Sequence, residues 1–325
     1  MKTAAAALAL ALLACPARAD APPAAPFQTC MNFSNALEAP QEGDWGYRIR
    51  HRDIVALAHA GFDAVRIPIR WSAHAEKAAP YAIDPAFFAR VDEVVASVIE
   101  AGMTAIINVH HYREIMDDPD NHTARLSGMW RQIADHYAAW SDHLIFEVLN
   151  EASGNLEAAQ TDQINTDVLA LIRRNNPDRW VILGTAQWGA LWGMLEGVPP
   201  PDPRVIASFH YYDPFDFTHQ GAGFVDPPLP LGVGWGTEPD RAKVSAHIAE
   251  AAAFGHAHNL PVFLGEFGVH RGVPLADRVA WIDHIRKAAE RHDIAWCHWG
   301  WASEFHAYQL EDNAWIAPIR AALGK

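Results

Sequence analysis

His143–Glu151, with the sequence HLIFEVLNE, runs from a mainly apolar segment into an amide and a carboxylate. A second stretch, Pro261–Gly268 (PVFLGEFG), follows the same pattern and places Glu266 after a short apolar run. A charged side chain is costly on a buried strand unless it is paired or lies where the strand meets water. We therefore expect Glu151 and Glu266 at the carboxyl ends of two buried strands, as parts of one site.

Eight strand-like runs divide the chain, and amphipathic helical stretches lie between most of them. The predicted strands are Thr29–Phe33, Ala64–Ile69, Thr104–Val109, Leu144–Leu149, Trp180–Gly184, Val205–Phe209, Val262–Leu264 and Ile294–Trp299. The predicted helices are Arg50–Ala60, Pro85–Ala101, Ala124–Trp140, Ala158–Asn175, Arg241–His258 and Leu275–His292, with a weaker one at Gly189–Glu196. Apolar strands that alternate with helices predict an α/β fold, a closed (β/α)8 TIM barrel, whose strands all end on one face.

Length and composition fit one domain of barrel size. The chain has 325 residues, of which 50% are hydrophobic, and a formal net charge of -14. This acidity argues against a nucleic acid or an anionic membrane as partner and leaves a neutral substrate open. Paired carboxylates across a cleft are the usual apparatus for cleaving glycosidic bonds. The 13 tryptophans add flat aromatic faces, which stack on sugar rings.

The amino terminus predicts export. Lys2 precedes a short apolar stretch and an A-x-A cleavage pattern at residues 17–19, so residues 1–19 are interpreted as a signal peptide. Residues 20–27 are interpreted as a flexible, proline-rich lead-in, and residues 28–325 as a single catalytic domain. We expect a secreted or periplasmic monomer. The alternative to a freely secreted protein is an outer-membrane lipoprotein with a lipid anchor at Cys15. Apart from that anchor, we expect no contact with a membrane.

The mature chain keeps two cysteines, Cys30 and Cys297, on strands that a closed barrel makes neighbours. They either pair in an oxidising compartment or remain free in the core, where cysteine is common. Strain in bridges between paired strands favours the free form. The 18 histidines include no H-E-x-x-H spacing, so we expect no metal site and no organic cofactor.

Polar and aromatic residues stand at six of the predicted strand ends. They are Arg66, His110, His111, Asn150, Glu151, His210, Tyr212, Glu266 and Trp299. Taken singly, an arginine or histidine of this kind is usually structural, but their coincidence on one barrel face indicates a site. The motifs VRIP, HH, LNE, HYY and GEFG occur in this order and resemble glycoside hydrolase family 5. The longer strings at 32–46, 106–119 and 210–221 are similar to the bacterial cellulase-mannanase branch of that family.

The resemblance implies that Glu151 is the acid/base and Glu266 the nucleophile of a retaining reaction, with carboxyl groups about 5 to 5.5 Å apart. Arg66 would favour ionised Glu266, and a filled site would raise the pKa of Glu151. The other implied roles are Asn150 on the sugar 2-hydroxyl, Tyr212 on Glu266, His210 beside the acid/base, His110 and His111 on the sugar, and Trp299 as its platform.

Five further positions are expected to line the cleft by the same resemblance. They are Asn35, Glu38, Trp188, His219 and Trp235. Two alternatives stay open, because Glu38 could brace a loop and Trp235 could simply pack.

The chain departs from that branch at several positions. Gly300-Trp301 stands where Glu-Phe is usual, Phe224 replaces a tryptophan, and Gln187 a glutamate. Cys30 and Ser34 replace glycines. Both catalytic glutamates are retained, so the predicted function is a retaining endo-β-1,4-glucanase acting on a β-linked polysaccharide or oligosaccharide. The alternatives are a β-mannanase or dual glucan and glucomannan hydrolase and, from another class, a non-catalytic polysaccharide-binding protein.

Overall fold

Eight parallel strands close into a barrel in the computed structural model, which describes residues 22–325. They are β1 (Thr29–Asn32), β2 (Ala64–Ile67), β3 (Thr104–Asn108), β4 (Leu144–Glu147), β5 (Val181–Leu183), β6 (Val205–His210), β7 (Val262–Phe267) and β8 (Ala295–His298). Each strand pairs with its neighbour in chain order, and β8 pairs with β1. The predicted TIM barrel is therefore confirmed.

Ten α-helices and one short 3-10 helix (Trp71–Ala73) accompany the strands within the described part of the chain. The α-helices in chain order are α1 (His51–His59), α2 (Pro85–Glu100), α3 (Arg113–Asp117), α4 (Pro119–His136), α5 (Ala158–Ile172), α6 (Leu191–Glu196), α7 (Phe215–Thr218), α8 (Glu238–His258), α9 (Leu275–Glu290) and α10 (Ala317–Ala322). The seven predicted helices are present. The short helices α3, α7 and α10 and a two-stranded hairpin, β9 (Tyr308–Gln309) with β10 (Ala314–Trp315), were not predicted, because their segments are too short to show a period.

Local sequence sets where the helices begin. Helix α8 starts at a capping box, in which the side chains of Thr237 and Asp240 each accept from the other's backbone N–H. Helix α2 has Asp84 at its N-cap and Pro85 in its first turn, where a missing N–H costs nothing. Because each of these helices follows a strand and returns the chain to the opposite face, the helix starts lie on the side of the barrel where the strands end.

The bottom of the barrel is closed by a small apolar cluster that includes the start of the described chain. Ala25 and Phe27 are buried there, and the Phe27 ring meets Phe263 edge to face at 5.0 Å. The prediction of a flexible lead-in over residues 20–27 is therefore wrong at Ala25 and Phe27, because both side chains pack into the apolar cluster at the bottom of the barrel. Cys30 and Cys297, which lie opposite each other on β1 and β8, are joined by a disulfide.

The interpreted signal peptide and Cys15 lie outside the described residues. Within residues 22–325, none of the helices has the length and apolar character that crossing a membrane requires.

Candidate active site

Arg66, at the end of β2, lies at the centre of the site. Its guanidinium is fully buried and makes two hydrogen bonds to Glu147, from Nε to Oε2 at 2.6 Å and from Nη2 to Oε1 at 2.7 Å. Nη1 donates to Glu266 Oε1 at 2.7 Å. A buried arginine is tolerated when carboxylates pair with it, so Arg66 and Glu147 form a fixed charged unit below the nucleophile candidate.

Two asparagines use the remaining guanidinium protons. Nη1 donates to Asn32 Oδ1 at 2.8 Å, and Nη2 donates to Asn150 Oδ1 at 2.6 Å. All five N–H groups of Arg66 thus have acceptors, which fixes its plane. Because the Asn150 oxygen faces Arg66, its amide nitrogen is left free to donate to a substrate hydroxyl.

Glu266 on β7 is held as an acceptor from two sides. Tyr212 donates its hydroxyl proton to Glu266 Oε2 at 3.0 Å, while Arg66 holds the other oxygen. Burial raises the pKa of Glu266, and His210 and Arg66 oppose that rise because they favour the charged carboxylate. Two donors on one carboxylate suit a group that must attack as an anion.

Glu151, just after β4, has a different environment. His210 Nδ1 lies 2.8 Å from its Oε1. Burial raises the pKa of Glu151 to about 7, with Arg66 opposing the rise and Glu147 adding to it. Its side chain is 31% exposed, so water or substrate reaches it. A carboxyl group that keeps its proton near neutral pH suits a general acid.

The two glutamates lie close together. Single ligand atoms of Glu151, His210 and Glu266 all lie within 4.8 Å of one another. Inverting enzymes keep their carboxyl groups about 6.5 to 9.5 Å apart to admit a water, and retaining enzymes about 5 to 5.5 Å. One carboxylate oxygen of Glu151 lies within 4.8 Å of one of Glu266, which agrees better with the shorter of these two ranges. The positive guanidinium of Arg66 on Glu266 makes the same cluster unfavourable for a metal cation.

His210 owes its position to two glycines. A Cβ on Gly189 would lie 3.3 Å from His210 Nδ1, and a Cβ on Gly265 would lie 3.0 Å from its Nε2. The backbone N–H of His210 also donates to Gly189 O at 2.7 Å. The imidazole therefore packs between β7 and the loop after β5. In the strand register, His210 pairs with Glu266.

Two large cavities meet at the glutamates, and a third, of about 330 Å³, adjoins Glu151 and Asn150. The nucleophile-side cavity, of about 430 Å³, is lined by Asn35, His110, His111, Glu266 and Trp299, among others. The acid-side cavity, of about 630 Å³, is lined by Trp188, Trp192, His210, Phe215 and Phe224, among others. Four residues line both cavities, namely Glu151, Tyr212, His219 and Phe224. Glu266 lines the first cavity but not the second, so the two carboxylates differ in which cavities they face.

Aromatic rings and strained backbone mark both cavities. The Trp299 and His110 rings are stacked at 5.8 Å on the nucleophile side, and Trp188 is 65% exposed on the acid side. Asn35, His111, Glu151 and Trp188 all have positive φ, between 46° and 65°. Such backbone is uncommon outside glycine and clusters at functional sites.

Two predicted cleft residues lie elsewhere. Glu38 is fully buried and accepts from the backbone N–H groups of Asn35 and Ala36, so it braces the loop after β1. Trp235 packs against Phe217 and His284 behind the cleft. The expectation that they line the cleft is wrong, and the alternatives left open for both are correct.

Sequence reasoning missed several residues of the site. Glu147 and Asn32 were not singled out, although a carboxylate inside the apolar run LIFEVL (144–149) is a signal for a buried partner. Trp45, Trp192 and Phe215 also line the cavities, but no signal in the sequence marked them, because exposed aromatic residues look alike before the fold is known.

Comparison with known proteins places this geometry in a family. The cellulase family, glycosyl hydrolase family 5, matches residues 25–305. Endoglucanase H of Acetivibrio thermocellus is 36% identical over 268 residues, which cover 82% of this chain but 29% of that protein. The chain thus spans less than a third of that relative's length.

Solved structures agree with that match. Thermotoga maritima Cel5A in complex with cellobiose superposes with a TM-score of 0.89 at 37% identity, over 91% of this chain and 97% of the other. The same protein in complex with mannotriose superposes with a TM-score of 0.90 at 36% identity, over the same shares. The protein described here belongs to the cellulase family, glycosyl hydrolase family 5.

Proposed function

We propose that the protein is a retaining endo-β-1,4-glucanase, with Glu266 as nucleophile and Glu151 as acid/base. Family membership makes the chain a glycoside hydrolase. The observation that carries the finer assignment is the contrast between two close carboxylates. Glu266 accepts from a guanidinium and a phenol, whereas Glu151 is partly exposed with a pKa raised to about 7.

In the first half-reaction, Glu266 attacks the anomeric carbon of the sugar in the nucleophile-side cavity. The bond from that carbon to the leaving oxygen breaks as Glu151 gives its proton to this oxygen, and a glycosyl ester forms on Glu266. Asn150 donates to the 2-hydroxyl, a bond that strengthens as the ring flattens. Trp299 supports the apolar face of the sugar, and His110 and His111 contact its edge.

In the second half-reaction, Glu151 acts as a base. It takes a proton from a water that enters the vacated acid-side cavity, and the resulting hydroxide displaces Glu266 from the anomeric carbon. Glu266 leaves as a carboxylate that Arg66 and Tyr212 stabilise. His210 keeps Glu151 oriented during both proton transfers. Two inversions at one carbon give overall retention.

The substrate assignment is a β-1,4-glucan. The Acetivibrio relative is named an endoglucanase, and the Thermotoga relative was solved with cellobiose. A second candidate is a β-mannan, which is supported by the mannotriose complex of that relative. The open cleft formed by the two cavities favours attack within a chain. Asn35, His219 and Trp188 supply cleft contacts around the cleavage point.

A panel of soluble β-glucans and β-mannans with sizing of the products tests the substrate proposal. We expect oligosaccharides of mixed length from glucan, released by the wild-type protein and absent with Glu266→Ala. Activity on mannan alone would contradict the glucan assignment.

Azide distinguishes the two glutamates on an activated aryl cellobioside. With Glu266→Ala, azide enters from the nucleophile face and should give the α-glycosyl azide. With Glu151→Ala, azide attacks the glycosyl-enzyme from the other face and should give the β-glycosyl azide. The opposite pairing, or wild-type turnover of Glu266→Ala without azide, would end the assignment.

Export is part of the proposal and rests on the sequence of residues 1–19. The protein would act as a monomer outside the cytoplasm. Mass spectrometry of the mature protein tests this, since cleavage after residue 19 predicts Asp20 as the first residue and a lipid on Cys15 would replace that result.

A further inference from the structure

The nucleophile-side cavity contains a third carboxylate that the proposed reaction does not use. Glu304 follows β8 and lines this cavity together with Glu266, Trp299 and Ser303. Its side chain is 37% exposed, which leaves an oxygen able to meet a ligand. Glu151 and Glu266, the other acidic residues of this lining, already have roles in the chemistry.

Glu304 is held in position from behind. Arg271 Nη2 donates to Glu304 Oε1 at 3.1 Å, and the backbone N–H of Arg271 donates to Glu304 O at 2.8 Å. His270 Nε2 lies 3.4 Å from Glu304 Oε2. The carboxylate is therefore oriented by the loop after β7, while it remains on the cavity wall.

Stability alone does not account for this arrangement. The Arg271 side chain is 59% exposed, and an ion pair with so much solvent around it contributes little to folding. A carboxylate held at a cavity wall by an exposed arginine is better placed to accept from a ligand than to stabilise the barrel.

We propose that Glu304 is a specificity-determining residue that accepts hydrogen bonds from hydroxyl groups of the glycone, the part of the substrate on the nucleophile side. The inference rests on the proposed function, which seats the glycone in this cavity. A sugar that stacks its apolar face on Trp299 turns its hydroxyl groups outwards, towards the polar wall to which Glu304 belongs. A charged acceptor makes a stronger bond to a hydroxyl than a neutral one does.

Glu304→Gln keeps the shape of the side chain and removes its charge. We measure kcat and KM of the wild type and this variant on nitrophenyl glycosides of cellobiose, cellotriose and cellotetraose, in which the glycone alone lengthens. For every glycone long enough to place a sugar beside Glu304, kcat/KM of the variant should be about tenfold lower than that of the wild type. The loss should lie in KM, with kcat kept within about twofold, because the bond is formed in the ground state as well.

Two further variants control the experiment. Glu311→Gln removes an exposed carboxylate of the same segment outside the cavity, and it should behave as wild type. Arg271→Gln breaks the ion pair but keeps the Glu304 carboxylate, so its loss should be clearly smaller than that of Glu304→Gln. Equal losses in Arg271→Gln and Glu304→Gln, accompanied by an equal fall in Tm, would make Glu304 a structural residue and overturn the proposal.

Binding separates this inference from the proposed function. Calorimetry with cellotetraose compares Glu266→Ala with the double variant Glu266→Ala/Glu304→Gln, neither of which needs to turn over. About tenfold weaker binding by the double variant supports the inference even if the catalytic assignment fails. Equal binding by both, together with equal kcat/KM of wild type and Glu304→Gln at every glycone length, would overturn the inference and leave the catalytic assignment untouched.

Discussion

A side chain added at Gly300 should destabilise the protein, because Ser34 already fills the space. A Cβ on Gly300 would overlap Ser34 Oγ and would lie 2.9 Å from Ser34 Cβ. Both residues are buried, and Ser303 Oγ closes the space from another side at 3.3 Å. Overpacking of a filled interior costs about 1 to 3 kcal/mol, so Gly300→Ala should lower the free energy of unfolding by that amount.

The destabilisation caused by Gly300→Ala should decrease as the side chain of residue 34 becomes smaller. Ser34→Ala removes the overlapping oxygen but keeps the Cβ, so it should recover part of the loss caused by Gly300→Ala. Ser34→Gly removes both atoms and should recover most of it, which corresponds to a coupling energy of about 1 to 3 kcal/mol in a double-mutant cycle. Chemical denaturation of the single and double variants measures these values. A Gly300→Ala variant as stable as wild type, or a cost unchanged by Ser34→Gly, would refute the reasoning.

The same pair decides whether a carboxylate can be restored beside Trp299. The kcat/KM of the Gly300→Glu variant should decrease on both cellopentaose and mannopentaose, because the added side chain clashes with Ser34. In the Ser34→Gly background the clash is gone, and the new carboxylate should alter the ratio of the two kcat/KM values, since glucose and mannose differ at the 2-hydroxyl. A parallel fall in that background as well would exclude a role of position 300 in recognition.

Three other outcomes follow from buried charge and from the disulfide. Glu147→Gln should destabilise the fold by about 3 to 5 kcal/mol, measured by denaturation, because it leaves the buried Arg66 charge short of a partner; a change below 1 kcal/mol would contradict this. Because Glu151 must carry its proton to act as an acid and its pKa is raised to about 7, kcat/KM should fall as the pH rises through about 7, and a basic limb near pH 4.5 would contradict the assignment. A separate acid limb at lower pH is expected from Glu266, which must lose its proton to attack. Replacing Cys30 and Cys297 by alanine should lower the free energy of unfolding by about 2 to 4 kcal/mol, and equal stability of the variant would show that the bridge adds nothing.

The sequence could predict the barrel and the order of its strands because the alternation of apolar runs and helical stretches is a local signal. Glu151 and Glu266 stood out for the same reason, as charges that directly follow apolar runs. The exact strand ends were less predictable: β4 ends at Glu147 rather than Leu149, and β7 continues to Phe267 rather than Leu264. A closed barrel also brings β1 beside β8, which is why Cys30 and Cys297 could be expected as neighbours, although strain argued for free thiols.

Contacts between distant segments could not be predicted in the same way. The space opposite Gly300 is taken by Ser34, which comes 266 residues earlier in the chain, and no local pattern reports such a fit. The pairing of Arg66 with Glu147 depends on side-chain directions inside the barrel. Glu38 was misplaced because a buried loop brace and a cleft carboxylate look the same in sequence.

The anomeric form of the first product tests the central claim most directly. Proton NMR during hydrolysis of cellopentaose, recorded before mutarotation equilibrates the product, reports which anomer the enzyme releases. Direct attack by Glu266 at the short carboxylate spacing predicts the β-anomer first, with the α-anomer growing in slowly afterwards. Initial release of the α-anomer would contradict the account, because it requires a water in the place that Glu266 is assigned.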